Sequence, residues 1–590
     1  MLKSMKSALA AALLLLSIPA LAAATPADEA AMQAIVKDYQ AWYERQDPVD
    51  AALNGKDELA GQLPDVTPAA DAARKKALEG FQARLEAIPA AGLSEDAKLN
   101  QGFLERIVRN QLMDIRFDTA RMPFTGDSSF ASSLSYMAGS TPIDKEADAA
   151  AWILRLRAMP KYYRDTMANI RRGIKDGFMQ PKMIAQIVAG QARRAVDAPL
   201  ETDPLLAPFA KLPASIPAAR QAELRAQALA ILRDQIRPAQ REFADLMEKE
   251  YVPAARDSLG ASSLPDGKAY YQWRVAYYTT TDLTPDEIHD LGLKEVARIR
   301  AEMQTAMAQT GFKGSLQQFI AFLRTDSQFY AKTPDELLKD ASEIAKRIDD
   351  QLPRWFGTLP RLTYGVRPVP AEIAKGYTSA RYFSGSPQLG IAGGFMVNTT
   401  DLDQRPLYEL PALALHEAVP GHHLQIALSQ ELPDVPAFRR DADMTAFTEG
   451  WGLYSEQLGD EMGIYRTPYE EFGRLSMEMW RACRLVADTG IHWLGWSKEQ
   501  ARACFTDNTA LSPLNIENEL NRYIGWPGQA LGYKVGELKI LQLRSKAEQA
   551  LGSKFDIRRF HDAVLLAGPL PMDLLEGRID RWILAEKARS

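Results

Sequence analysis

Cysteine is almost missing from this 590-residue chain, which holds only Cys483 and Cys504. Two cysteines exclude a disulfide framework. One bridge is open to them in an exported protein, but both sit in apolar helical contexts, which favours two buried thiols, with neither the surroundings of a nucleophile nor those of a metal site. Runs of basic residues are missing too. The net charge is −6, no stretch interleaves basic with aromatic residues, and nucleic acid is excluded as a partner. After the first two dozen residues no apolar run approaches the length of a membrane helix, so no stable membrane anchor is expected. Histidine is scarce as well, with six in the whole chain.

The N-terminus reads MLKSMKSALAAALLLLSIPALAAATPADEA. Lys3 and Lys6 make a positive start, residues 8–18 a short apolar core, and Ala20-Leu21-Ala22 a small-x-small cleavage site. This pattern is that of a cleavable secretory signal over residues 1–22. Its removal takes the net charge from −6 to −8, and the bacterial periplasm is the expected destination. With no cysteine beside the cleavage site, a lipid anchor is not expected.

The remainder is expected to be mainly α: a large helical, clefted body with a small β-sheet near the active site. Long 3.6-residue periodicities rich in Ala, Leu, Arg and Glu run through DAARKKALEGFQARLEAI, EADAAAWILRLRAMPKYYRDTMANIRRGI and QAELRAQALAILRDQIRPAQREFADLMEKEYVPAAR. The tetrapeptide TPDE occurs at residues 284–287 and 333–336. Each offers Thr as N-cap, Pro at the first helical position and Glu to complete a capping box. Loop-like composition marks residues 122–142, 199–218 and 258–275. An N-terminal helical region over 23–265 and a C-terminal catalytic region over 266–590 follow. Strand-prone sequence is confined to residues 359–400, where RLTYGVRPVP alternates and GGFMVNTTDL follows a glycine-rich turn.

Half of the histidines lie in ALALHEAVPGHHLQ, residues 412–425. His416-Glu417 opens like the zinc-protease helix motif H-E-x-x-H, yet Pro420 stands where the second histidine belongs. Ala412, Leu413 and Val419 surround His416 on one helix face, so it points inward. A lone inward histidine is usually a hydrogen-bonded core residue. Here a glutamate adjoins it and two more histidines follow within two turns, the residue types that hydrolytic zinc requires. In an unbroken helix, residues six or seven apart rise about 9–10 Å, too far to share one ion. Pro420 lacks an N–H and clashes with the carbonyl four residues back, that of His416, and Gly421 accepts backbone angles closed to other residues. The helix is therefore expected to bulge and bring His422 or His423 back beside His416.

A further ligand is expected from MTAFTEGWGLYSEQLGDEMG, residues 444–463, where Glu449, Glu456 and Asp460 share one stripe. A solvated acidic face has the same spacing. The turn ELPDVPAF folds this helix back on the histidine helix, which favours Glu449 and leaves Glu456 too far along the axis. In GRLSMEMWRACRLVADTGIHWLGWS, residues 473–497, Arg474, Arg481, Arg484, Asp488 and His492 fall on one line. That row reads equally as an internal ion network or as a cleft wall, with Arg481 or Arg484 holding a substrate carboxylate and His492 donating to an oxyanion. In NRYIGWPGQALGYKVGELK, residues 521–539, Tyr523, Gln529, Tyr533 and Lys534 are candidates of the same kind. His289 and His561 sit in ordinary amphipathic helices.

Taken in order, LHEAVPGHHLQ, EGWGLYSEQLG, RLVADTGIHWLGWS and YIGWPGQALGYKVGE resemble the domain-of-unknown-function 885 family over most of the chain. That family resembles in turn the clefted helical gluzincin metallopeptidases of the thimet-oligopeptidase, angiotensin-converting-enzyme and thermostable-carboxypeptidase types, which carry H-E-x-G-H and a downstream glutamate. The resemblance implies one Zn2+ per chain on His416, His422 and Glu449, with a two-residue insertion in the motif. It makes His423 an outer-shell group or alternative ligand, with Glu456 in the same position. It implies Glu417 as general base and Tyr533, with His492 or Tyr523, as oxyanion donors. Arg481, Arg484, Gln529 and Asn398 are the expected substrate contacts, Asn398 because GGFMVNTT would be an edge strand pairing with the peptide. The function expected is an exported zinc peptidase of oligopeptidase or carboxypeptidase type. The alternatives are a zinc amidase or esterase on a cell-wall substrate, and a non-catalytic binding descendant.

Overall fold

The structure is a computed structural model that describes residues 25–589 apart from 371–373, 375–376 and 388–389. The secretory signal expected over residues 1–22 lies outside the described residues. Helices dominate, and the following positions the site: α1 (Pro26–Gln46), α2 (Glu95–Phe117), α3 (Glu146–Asp176), α4 (Gly267–Thr279), α5 (Pro285–Gln309), α6 (Pro334–Trp355), α7 (Leu410–Glu417), α8 (His422–Gln430), α9 (Thr445–Glu461), α10 (Pro468–His492), α11 (Pro513–Gly525) and α12 (Leu531–Leu551). No helix among the described residues is long and apolar enough to cross a membrane.

Local sequence sets the helix starts. Thr284 caps α5 with both halves of a capping box, its hydroxyl accepting from Glu287 N and its own N–H donating to Glu287 Oε2. Thr333 caps α6 in only one direction, because the Glu336 carboxylate accepts from Lys332 N instead. Of the loop-like stretches, 122–142 contains the helix Phe130–Ser140, and 199–218 is wound into the 3-10 turns Leu200–Thr202 and Pro204–Phe209. Gly, Ser and Pro there cap and tighten turns rather than leave them open.

A three-stranded sheet precedes the histidines: β1 (Tyr364–Pro368), β2 (Ala380–Phe383) and β3 (Gly393–Val397), in the order β1-β3-β2. β1 runs parallel to β3 with Tyr364 opposite Gly393, and β2 antiparallel with Ala380 opposite Val397. β3, the GGFMV strand, is thus central and paired on both sides. The strand expected at the edge is not there, and β2 takes the edge beside α7. Asn398, at the end of β3, is fully buried. Its amide donates to the carbonyls of Ala374, Tyr377 and Thr378, and its oxygen accepts from Thr400. It ties a loop together and is withdrawn from substrate.

Residues between Phe124 and Ala255 form an apolar core of their own. A second core joins Phe395 and Val397 of the sheet to Leu415, Trp451 and Ile540, with Leu99 and Phe103 of α2 included. A cavity of about 1490 Å3 runs between α1 and α2 on one side and Trp273–Thr280 and Asp434–Thr445 on the other. Cys483 of α10 and Cys504 of the helix Lys498–Asn508 form a disulfide, the single bridge rather than the favoured pair of buried thiols. The two helices pack as a hairpin, and their cysteines meet at a Cα–Cα distance of 5.7 Å; apolar context alone carried no sign of that return.

Candidate metal centre and active site

α7 stops at Glu417, and a new helix, α8, begins at His422. The residues between them do not bulge out of a continuing helix but break it, through a cis Val419–Pro420 bond. The break is closed by backbone bonds from Gly421 N to Leu415 O and from His423 N to Ala418 O, and by Trp451 Nε1 donating to Pro420 O. Trp451 belongs to α9, so the helix that carries the two glutamates also holds the turn between the two histidines.

The result is a convergence of His416, His422 and Glu449 whose ligand atoms all lie within 4.8 Å of one another. Glu449 Oε2 stands 3.4 Å from His416 Nε2 and 3.6 Å from His422 Nε2. Bonds of about 2.0–2.1 Å at tetrahedral angles put ligand atoms roughly 3.4 Å apart, so the three side chains fit a small divalent ion. His416 is 4% exposed and His422 11%, which keeps both from bulk water.

Glu456 lies outside the group of three but against His416: its Oε1 accepts from His416 Nδ1 at 2.8 Å, while Arg481 Nη2 stands 3.6 Å from the same oxygen. This is the outer carboxylate that fixes which imidazole nitrogen is free to ligate. Burial works against a charged His416, but the bonds and charges of Glu449 and Glu456 outweigh it and raise its pKa to about 9. The same two histidines hold the Glu449 carboxyl well below the usual range despite its burial. Asp460, third on the stripe, is exposed and takes no part.

Glu417, next to His416 on α7, reaches the sheet edge, where its Oε2 accepts from Tyr382 N of β2 at 2.7 Å. His423 is not beside the ion-sized gap. Its Nδ1 meets the Tyr382 hydroxyl at 3.1 Å and its Nε2 meets Leu362 O at 3.0 Å, pinning α8 to the sheet. Burial pushes it down to about 4, so it is neutral. Of the two candidate histidines the geometry brings His422, not His423, to His416.

Several expected substrate contacts have structural partners. His492 is fully buried, accepts from Ala261 N and donates to Tyr523 O, both at 2.9 Å. Burial lowers it to about 3, and it has no donor left for an oxyanion. The Tyr523 hydroxyl donates to Glu519 and accepts from Arg484 and Trp480. Arg484 is paired with Glu519 at 2.8 Å and stacks on Trp480 and Tyr533. Arg481 is held by Met477 O and Glu456, and Gln529 Oε1 accepts from Arg522. The polar row of α10 is therefore the internal network of the two readings, with Arg474 paired to Glu471 and Glu478 and Asp488 accepting from Tyr271 and Gly528. Lys534, wholly buried, joins it through Glu478 and Glu537.

Tyr533 differs. It sits in the first turn of α12, whose Gly532 and Gly536 press on Thr445, Ala446 and Gly450 of α9, the turn of α9 that bears Glu449. Its hydroxyl accepts from Arg522 at 3.2 Å. The large cavity reaches Asp443, Met444 and Thr445, at the start of α9. Sequence reasoning gave no role to Arg522, Arg381 or the glycines of α9; EGWGL spaces its glycines two apart in a helix, which is the available signal.

Residues 48–579 match the family described as bacterial protein of unknown function (DUF885). The chain belongs to that family. The same fold is found in the crystal structure of a candidate lipoprotein from Colwellia psychrerythraea, with a TM-score of 0.88 and 28% identity over 94% of this chain and 99% of that one. A candidate lipoprotein of unknown function from Shewanella oneidensis shares the fold at a TM-score of 0.70 and 19% identity, over 93% and 98% of the two chains. A stretch of 121 residues, 20% of this chain, is 30% identical to the type III pantothenate kinases of Burkholderia cenocepacia and Burkholderia orbicola. The chain spans 37% of the length of those kinases, too little to carry their activity over to this DUF885 protein.

Proposed function

We propose that this protein is an exported zinc-dependent peptidase acting on short or unfolded peptides. The observation that carries the reading is the convergence of His416, His422 and Glu449 at ligand spacing with Glu417 on the adjoining position. The donor set of two imidazoles and one carboxylate suits zinc, and the resemblance to the gluzincin peptidases points the same way. When bound, zinc would lower the pKa of water and polarise a carbonyl.

The remaining chemistry belongs to the chain. Glu417, steadied by the Tyr382 amide, takes a proton from the attacking water and passes it to the leaving amine. Tyr533 donates to the oxyanion as the carbonyl becomes tetrahedral. Glu456 keeps His416 in its ligating tautomer. β2, an edge strand whose Tyr382 N–H meets Glu417, is the place for an extended peptide. Export is supported by the N-terminal sequence pattern, by a disulfide of the kind that persists in oxidising compartments, and by neighbours described as lipoproteins.

The test is zinc per chain together with cleavage of a mixture of unstructured peptides, read by mass spectrometry. Glu417→Gln is expected to keep its zinc and lose turnover by several orders of magnitude, since the base is removed and the ligands remain. Stoichiometric zinc without peptide cleavage would replace the reading by a zinc amidase or esterase. Absence of zinc after reconstitution would end it.

A further inference from the structure

β2 is an edge strand of the sheet, beside α7, and its residues alternate. Arg381 lies opposite Met396 and Tyr382 opposite Phe395. The Tyr382 N–H points away from β3 and meets Glu417, while its ring is buried against His423. Arg381 therefore points to the other face, beside the strand edge that carries Glu417. It is exposed. Its side chain donates to the Tyr377 hydroxyl at 3.0 Å, and among the described residues no carboxylate pairs with it. Phe383, 46% exposed, shares its face.

Two surroundings set Arg381 apart from an ordinary surface arginine. It stands within electrostatic reach of Glu417, and within reach of Tyr136 on the helix Phe130–Ser140 of the N-terminal region. Partial burial works against its charge, but Tyr377, Tyr136 and Glu417 together raise its pKa. Tyr136 is itself 67% exposed, so Arg381 lies where the N-terminal region faces the sheet edge. A peptide extended along β2 with its reacting bond at Glu417 must pass this guanidinium, because neighbouring residues of a strand are only about 3.3 Å apart.

We infer that Arg381 is a specificity-determining residue that binds a carboxylate of the substrate one or two residues from the reacting bond. The inference rests on the peptidase reading for the place of that bond. A carboxylate so close to Glu417 would be repelled by it, and a guanidinium beside the strand edge offsets the repulsion while offering a forked pair of donors. Two sources have this chemistry: the C-terminal carboxylate of the peptide, or an Asp or Glu side chain.

The experiment uses Glu417→Gln protein purified in the presence of zinc, titrated calorimetrically with three matched peptide series. One carries an acidic side chain and an amidated end, one neutral side chains and a free carboxylate, and one is neutral and amidated. One or both anionic series are expected to bind at least about tenfold more tightly than the neutral one, and the series that gains identifies the source. Adding Arg381→Gln should abolish the advantage, and Arg381→Lys should keep part of it. Equal affinity for all three series, or an advantage that survives Arg381→Gln, overturns the inference. Wild-type turnover separates the two readings. Arg381-dependent binding without cleavage overturns the peptidase and keeps the anion site, whereas cleavage without anionic preference does the reverse.

Discussion

At the scale of single residues, the candidate centre depends on space as much as on ligands. The His416 ring lies against the backbone of α9 at Gly452. A Cβ there would stand 2.6 Å from His416 Cε1 and 2.9 Å from Nε2, so only glycine leaves the imidazole where Glu449 and Glu456 meet it. Gly452→Ala favours the helix itself by roughly 0.5–1 kcal/mol, and the protein should still fold. The ring must turn, however, and zinc affinity is expected to fall by about 10–100-fold, the range seen when ligand orientation is lost. Competition with a chelator measures this, and unchanged affinity would mean that His416 is not held by this contact. The residue types of the candidate centre were legible in the sequence because few residue types serve hydrolytic zinc. Their neighbours were not. His492 and His423 have the same chemistry as His416, and what removes them from the site is Ala261, more than two hundred residues away, and Leu362 beyond the sheet.

At the scale of elements, α9 and α12 carry the site on touching backbones. A Cβ on Gly536 would stand 1.8 Å from Ala446 O, and one on Gly450 would stand 2.5 Å from Gly536 C. Gly536→Ala must therefore separate the helices, because no side-chain end is available to yield. A loss of about 1–3 kcal/mol, the usual cost of overpacking, is expected in denaturant unfolding, with Tyr533 displaced relative to Glu449. Stability within a few tenths of wild type would show the two helices free to slide. Periodicity fixed α9 and the shared stripe of Glu449 and Glu456. It could not fix depth, so it did not say that Glu456 meets the Nδ1 of His416. The strands show the same limit: composition located them within residues 359–400, but the order β1-β3-β2 depends on β1 returning parallel to β3, a non-local pairing that no alternation pattern encodes.

At the scale of the whole molecule, buried charge links the parts. Asp488 of α10 accepts from Tyr271 of α4 and from Gly528 in the turn between α11 and α12, so one carboxyl joins three segments distant in sequence. Burial pushes it up to about 7, against the smaller opposing effect of those bonds. The sign follows from the proton count. Between about pH 4, where the unfolded carboxyl titrates, and pH 7 the folded state holds a proton that the unfolded state has lost. Stability therefore falls as pH rises through that window, by up to about 1.4 kcal/mol per pH unit from this group, and the loss is complete above pH 7. Glu409, raised to about 7 mainly by burial, contributes in the same direction. Asp488→Asn keeps an acceptor for Tyr271 and Gly528 but cannot ionise. Its stability relative to wild type should climb between pH 5 and pH 8, whatever constant cost the unpartnered amide N–H imposes. Because Glu409 is common to both proteins, its effect cancels in the difference. Parallel stability curves for the two proteins across that range would mean that Asp488 ionises in the folded protein as readily as in water, and that the three segments are joined by an ordinary surface-like carboxylate.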